Sequence, residues 1–283
     1  MPFRVTFALL LITSGACAQD VPEFLDALGR AASNFAFTAP GLTADEILEQ
    51  RGRRGFLEVL KGTQNAPKQL DIHLQEGFRT HRVRSSYGLT ESGPGKVLHE
   101  IRNVTSFDGR PVTDPVEARH ALSSGMRGDE DRTRKILLEN FEQEQLEGAV
   151  TDFGQLILLF AERFQKNYTF AVSAPRTLSY RQVTGTHGLT VFQGRSADRE
   201  ATEGEILFSE PDLIPQRITL NTRRQVSKKD VVRTEASVEY MPGPLGLVPV
   251  KITHQQFLND SLLVENILHH ENFQRPGVPE MIP

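Results

Sequence analysis

The residues of this chain that could do chemistry are few and scattered. His269-His270-Glu271 is the densest group of metal-ligating types. Neighbours on a strand point to opposite faces, so both histidines cannot serve one ion, and the run is expected to be solvated. His73, His81, His99, His187 and His254 stand singly, and no HExxH, HxH or carboxylate-histidine spacing gathers them onto one face. A hydrolase of the nucleophile-elbow type needs a strained G-x-S-x-G turn, which is absent, and Cys17 is the one cysteine. No metal, no cofactor and no catalytic set is expected, and the function sought is that of a binding or interaction protein.

The elements that would position any site begin after a leader. Arg4, the apolar run Val5–Ile12 and Ala16-Cys17-Ala18 read as a secretory signal peptide over residues 1–18, cleaved before Gln19. The rival reading is a lipoprotein signal acylated at Cys17, although Ser14-Gly15-Ala16 lacks the usual branched apolar residue. The expected location is the periplasm or the extracellular space. If the leader is cleaved after Ala18, the rest, 19–283, has no cysteine and must be held by an ordinary core without a disulfide. Of the 32 Lys and Arg, losing Arg4 leaves 31 against 36 Asp and Glu, a formal charge of −5. That balance, without a basic and aromatic face, argues against nucleic acid.

Along the chain, Phe24, Leu28, Ala31 and Phe35 fall at helical spacing and predict a helix from Pro22 to about Phe37. Leu42–Gln50, with Thr43 three residues before Glu46, reads as a capping box and predicts a second short helix. Arg51-Gly52-Arg53-Arg54-Gly55 reads as a solvated basic loop. Leu70–Leu74, Phe78–Arg84 and Val97–Phe107 read as strands, with Asp108-Gly109 as a tight turn. Asp114 caps a helix with Pro115 at its first position. Met126–Arg134 reads as an exposed loop, and 123–134 is where a domain boundary would fall. Leu137, Leu138 and Phe141 mark another helix. Asp152 is placed to cap the last, where Phe153, Leu156, Ile157, Phe160 and Phe164 form the strongest helical stripe.

The remainder alternates at period two. Tyr168–Val172, Leu178–Tyr180, Leu189–Val191, Glu205–Phe208 and Arg217–Leu220 precede the clearest strand, Val232–Tyr240. Met241–Gly246 reads as a Pro/Gly turn before Val248–Thr253 and a final apolar strand, Leu262–Leu268. Helices, strands, helices, strands in that order predict one α+β domain with an antiparallel sheet of about ten strands and about four helices.

Five segments carry a resemblance: Gly204–Phe208, Leu213–Leu220, Val238-Glu239-Tyr240, Leu247–Val250 and Asn272-Phe273. Their succession over roughly 168–275 resembles that of the periplasmic outer-membrane lipoprotein carrier (LolA/LolB-like) superfamily. It is also similar to secreted bacterial proteins whose last strand ends in Asn-Phe-Arg, where this chain departs with Gln274. The resemblance implies a curved half-barrel closed by helices, with an apolar concave face that in relatives accepts acyl chains. It implies a lipid or acylated protein as ligand, peripheral membrane contact, and a wall formed by Phe153, Ile157, Phe160, Val232, Val238 and Tyr240. The competing reading is an envelope interaction protein with a solid core and a protein partner.

Overall fold

The computed structural model describes residues 21–54, 76–92, 97–127, 146, 152–186, 189–193, 196–225, 228–243 and 246–275. The expected signal peptide with Cys17, the strand at Leu70–Leu74 and the helix at Leu137–Phe141 lie outside them. Helix α1 (Val21–Thr38) opens the described chain and is followed by β1 (Thr43–Arg53), β2 (Phe78–Ser92), β3 (Val97–Phe107) and β4 (Arg110–Pro111). Next come α2 (Pro115–Arg127), a 3-10 helix (Phe153–Phe160) and the short α3 (Glu162–Gln165). The C-terminal half is all strand: β5 (Tyr168–Ala174), β6 (Thr177–Gln182), β7 (Leu189–Gln193), β8 (Ser196–Glu200), β9 (Thr202–Phe208), β10 (Pro215–Gln225), β11 (Val231–Gly243), β12 (Gly246–Leu258) and β13 (Ser261–Gln274).

Eleven of these strands form one antiparallel sheet in the order β4-β3-β2-β1-β13-β12-β11-β10-β9-β6-β5, and β7 pairs with β8 apart from it. The α+β class and the antiparallel sheet are those the sequence pattern predicts. The strand count exceeds the expected ten because β1, β4 and β8 had no signal of their own. Strands from both sides of 123–134 share the sheet: β1 lies against β13, with Glu46 opposite His270 and Gln50 opposite Asn266.

Side chains alternate across the sheet. One face carries Leu48, Val83, Tyr87, Ile218, Leu220, Val238, Ile252 and Leu268, all buried. Helix α1 packs on this face, with Phe24 against Phe208 (ring centroids 4.8 Å apart) and Phe35 edge-on to Tyr240 (6.3 Å). The 3-10 helix lies beside it and sets Phe160 among Tyr168, Tyr180 and Phe170. Burying a ring of that size contributes about 2–3 kcal/mol. On the opposite face, α2 seats Leu122 and Met126 on Ile101. Gly88 is bare there because a Cβ would stand 2.9 Å from Met126 Sδ and 3.0 Å from Leu122 Cδ2. Asp114 caps α2 as expected, its Oδ1 accepting from the Val116 and Glu117 amides at 2.8 and 3.2 Å.

Five local expectations are overturned. Leu42–Gln50 is no helix: Thr43–Arg53 is a strand whose Ala44, Glu46, Leu48, Gln50 and Gly52 are buried in alternation. Two of those inward positions are polar, which hid the period, and both find partners only across strands distant in sequence. Arg51 and Arg53, expected in a solvated loop, complete β1, and the Arg51 guanidinium lies 4.4 Å over the Phe78 ring. Met126 and Arg127, expected to open the exposed loop, continue α2, since Leu122 and Met126 are held by Ile101; the rest of that loop, 128–134, lies outside the described residues. Asp152 makes no cap; its carboxylate is taken by the sheet, and the turn after it winds as a 3-10 helix that stops at Ala161 and leaves Phe164 exposed. Met241 and Pro242 belong to β11, opposite Val248 and Leu247. The β10 partners of β11 run only as far as Glu239, so the missing Pro242 donor costs no ladder bond.

Candidate functional site

Of the six residues expected at a ligand wall, the fold brings five together. Phe153, Ile157, Phe160, Val238 and Tyr240 are buried in the main core, and Tyr240 ties the 3-10 helix to β11. Its hydroxyl donates to the Gly154 carbonyl and accepts the Ile157 amide, both at 3.1 Å. Burial raises the Tyr240 pKa, so the hydroxyl keeps the proton this arrangement needs. Val232 stands apart from that cluster, half-buried near the other end of β11, between Arg224 and Leu258.

An apolar cavity of ≈ 390 Å³ opens away from that cluster, where α1 meets the β9–β10 connection and the β11–β12 hairpin. Ala27 and Ala31 leave room on the helix, and Leu213, Ile214, Pro215, Pro242 and Leu247 form the facing wall. Gly246 turns the hairpin at φ +141°, a backbone conformation that strains other residues, and its missing Cβ keeps Thr38 Oγ1 and Asn34 Nδ2 clear. Arg30, Asn34 and Asp212 are the polar lining residues. The volume falls within the range of small-molecule sites, about 300–1,000 Å³.

A second hollow of ≈ 540 Å³ lies over β5, β6, β9 and β10 and is lined by polar side chains such as Thr169, Arg181, Glu203 and Asn221. Its floor is a gap in the ladder. Pairing of β9 with β10 skips from Ile206–Ile218 to Glu203–Asn221. Between them the Glu205 amide donates to Thr219 Oγ1 (2.9 Å) and the Tyr180 hydroxyl to the Thr219 carbonyl (2.8 Å). Gly204 is required at that point, because a Cβ would run into the Thr219 carbonyl.

Charge is concentrated instead inside the sheet. Arg102 Nε donates to both oxygens of Glu46 (2.9 and 3.0 Å), and its Nη2 donates to Glu100 Oε2 (2.7 Å). Its Nη1 lies 3.6 Å from Asp152 Oδ1. His270 Nε2 meets Glu46 Oε2 at 2.9 Å, and the Tyr87 ring packs at a tilt against His270, centroids 4.3 Å apart. Glu46, Glu100 and His270 side chains are completely buried. Burial alone would raise the Glu46 pKa, but Arg102 and His270 overcome it and hold it at about 2. Glu100 goes the other way: burial, partly offset by Arg102 and reinforced by Asp152, pushes it up to about 8. Two carboxyls on one guanidinium thus differ in protonation at neutral pH, a pattern shared with acid-base sites. Both are sealed from solvent, so the network acts as a brace joining β1, β2, β3 and β13 to the start of the 3-10 helix.

A neutral chain continues the brace. Gln50 Nε2 donates to Asn266 Oδ1 (2.8 Å), and Asn266 Nδ2 meets His254 Nδ1 (3.0 Å). Burial lowers the His254 pKa to about 4, so the ring is neutral. The solvated reading of His269-His270-Glu271 is therefore corrected at His270, which is buried and hydrogen-bonded to Glu46, while adjacent positions do face opposite sides as the strand period requires. Glu46, Glu100, Arg102, Asp152 and Tyr87 were missed by sequence reasoning. The one available signal was a polar residue at every second position of a strand, Glu100 and Arg102. Among the described residues no three of His, Cys, Asp and Glu are arranged to hold a metal.

No family model matches the chain. No solved structure matches it. Among curated proteins it is similar to an imidazolonepropionase of Mesorhizobium japonicum, 27% identical over 177 residues, which cover 56% of this chain and 42% of that protein. The chain thus spans less than half the length of the relative it matches.

Proposed function

We propose that the protein is an exported, non-catalytic binding protein that accepts a lipid or a lipoprotein acyl group. In this reading the long sheet is bent as a half-barrel, the helices on its apolar face act as cover, and the ligand enters between α1 and the β11–β12 hairpin. The observation that carries it is the cavity of ≈ 390 Å³ at that junction, walled by Leu213, Ile214, Pro215, Pro242 and Leu247. Its helical wall includes the small side chains of Ala27 and Ala31, which leave the space open between α1 and the facing residues. The test is native mass spectrometry of protein purified from the envelope, followed by denaturation and lipid extraction. A stoichiometric released lipid supports the carrier. A bare polypeptide mass that persists after incubation with mixed phospholipids refutes it.

A second reading, an envelope protein that docks another protein, is favoured by the close packing of Phe153, Ile157, Phe160, Val238 and Tyr240, which leaves the centre of the sheet filled. An enzymatic reading is raised by the name of the imidazolonepropionase relative. Against it stand the partial coverage and the burial of the acidic pair. Turnover of imidazolonepropionate by the purified protein would overturn the non-catalytic reading.

A further inference from the structure

Two charged side chains at the apolar cavity are left without partners. Arg30 is exposed on α1, one turn before Asn34, and both line the cavity. Asp212, also exposed, lines it from the β9–β10 connection. Among the described residues neither the Arg30 nor the Asp212 side chain takes part in a hydrogen bond or ion pair. A cation and an anion that line one apolar cavity suit a ligand that carries both signs on a polar end and hydrocarbon behind it.

We propose that this cavity binds a single-chain amphiphile with a zwitterionic head of the phosphoethanolamine type, the phosphate held by Arg30 and Asn34 and the ammonium by Asp212. The proposal rests on the hydrophobic-ligand reading given above and adds the head group and the chain number. Arginine suits a phosphate because its guanidinium presents several donors in a fixed fork. The Asn34 amide is a further donor: its nitrogen lies 3.3 Å from where a Gly246 Cβ would stand, so the bare glycine keeps it accessible. The ≈ 390 Å³ volume is near the lower end of small-molecule sites, about 300–1,000 Å³, which fits one acyl chain better than two.

The test uses the purified chain and isothermal titration below the critical micelle concentration with three short-chain probes: lysophosphatidylethanolamine, lysophosphatidylglycerol and a monoacylglycerol of equal chain length. The expected order is zwitterion, then anion, then neutral, with about tenfold for each step, the worth of one charge-assisted contact, and about a hundredfold between first and last. Asp212→Asn should bring the zwitterion down to the anion, and Arg30→Gln should bring both phospholipids towards the monoacylglycerol. Both positions are exposed, so neither variant disturbs the core. Equal binding of all three probes, unchanged in the variants, overturns the head-group proposal and leaves the apolar cavity standing. No binding of any probe, the monoacylglycerol included, overturns the hydrophobic-ligand reading itself.

Discussion

Replacing Glu100 by glutamine should make the protein more stable at neutral and alkaline pH, although it removes a buried ion-pair partner. The folded protein keeps the Glu100 proton up to about pH 8, whereas an unfolded chain releases it near the ordinary value of 4.5. Between those values the unfolded state binds fewer protons, so stability falls as pH rises, by about 1.36 kcal/mol per unit and about 5 kcal/mol across the window. His254 works in the opposite sense. Its folded pKa of about 4 lies below the ordinary 6.5, so its share of stability is present above pH 6.5 and is lost as pH falls towards 4. From pH 4.5 to 6.5 the two slopes cancel. From 6.5 to 8 Glu100 acts without that offset, and its share of the wild-type loss should be about 2 kcal/mol.

In Glu100→Gln the amide mimics the protonated acid, its carbonyl still accepts from Arg102, and its NH2 is directed to the side where Glu100 Oε1 and the Tyr87 hydroxyl now lack partners. The loss between pH 6.5 and 8 should vanish, while a gain with pH, from His254, appears between 4.5 and 6.5. Urea denaturation followed by far-ultraviolet circular dichroism at several pH values measures this directly, the chain having no tryptophan for fluorescence. Parallel stability-pH curves for wild type and variant would refute the reasoning, because Glu100 would then be ionised in the fold at all these values.

Arg102→Met should cost about 3–5 kcal/mol, since Glu46 would be left buried without its main counter-charge; a denaturation midpoint close to wild type would contradict the brace. His254→Gln, which can still meet Asn266, should expose the Glu100 slope, so that stability falls as pH rises from 4.5 to 6.5 where the two groups offset each other in the wild type, read from the same urea titrations. Phe160→Ala should destabilise by about 3–5 kcal/mol, because the ring is fully buried among Tyr168, Tyr180 and Phe170. Gly204→Ala should lower the melting temperature even though alanine is small, since its Cβ meets the Thr219 carbonyl; an unchanged melting temperature would mean that β9 and β10 part easily there.

Where one face of an element is apolar, the chain was readable by itself. Val232–Tyr240 alternates without interruption and lies within β11, Asp114-Pro115 opens α2, and Phe24, Leu28 and Phe35 mark the buried side of α1. Reading failed where inward positions are polar. Thr43–Arg53 places Glu46 and Gln50 on the core side, so a three-residue capping signal outweighed a strand period that could not be seen. Asp152 failed for a related reason: its carboxylate reaches Arg102 and the Glu100 amide in preference to the turn that follows it.

The candidate sites divide in the same way. Composition and the lack of catalytic spacing pointed to binding, and the apolar stripe Phe153–Phe160 named a segment that does pack on the sheet. Which hollow stays open depended on α1 meeting the β9–β10 connection and the β11–β12 hairpin, three pieces far apart in the chain. The charged brace is likewise non-local: Glu46 lies 56 residues from Arg102 and 224 from His270. Local sequence determined strand and helix periods, because those depend on neighbours a few residues away. Only the tertiary structure decided which buried charge has a partner and where an apolar surface is left uncovered, because pairing β1 with β13 brings those groups within 3 Å, and no pattern in a linear window records that pairing.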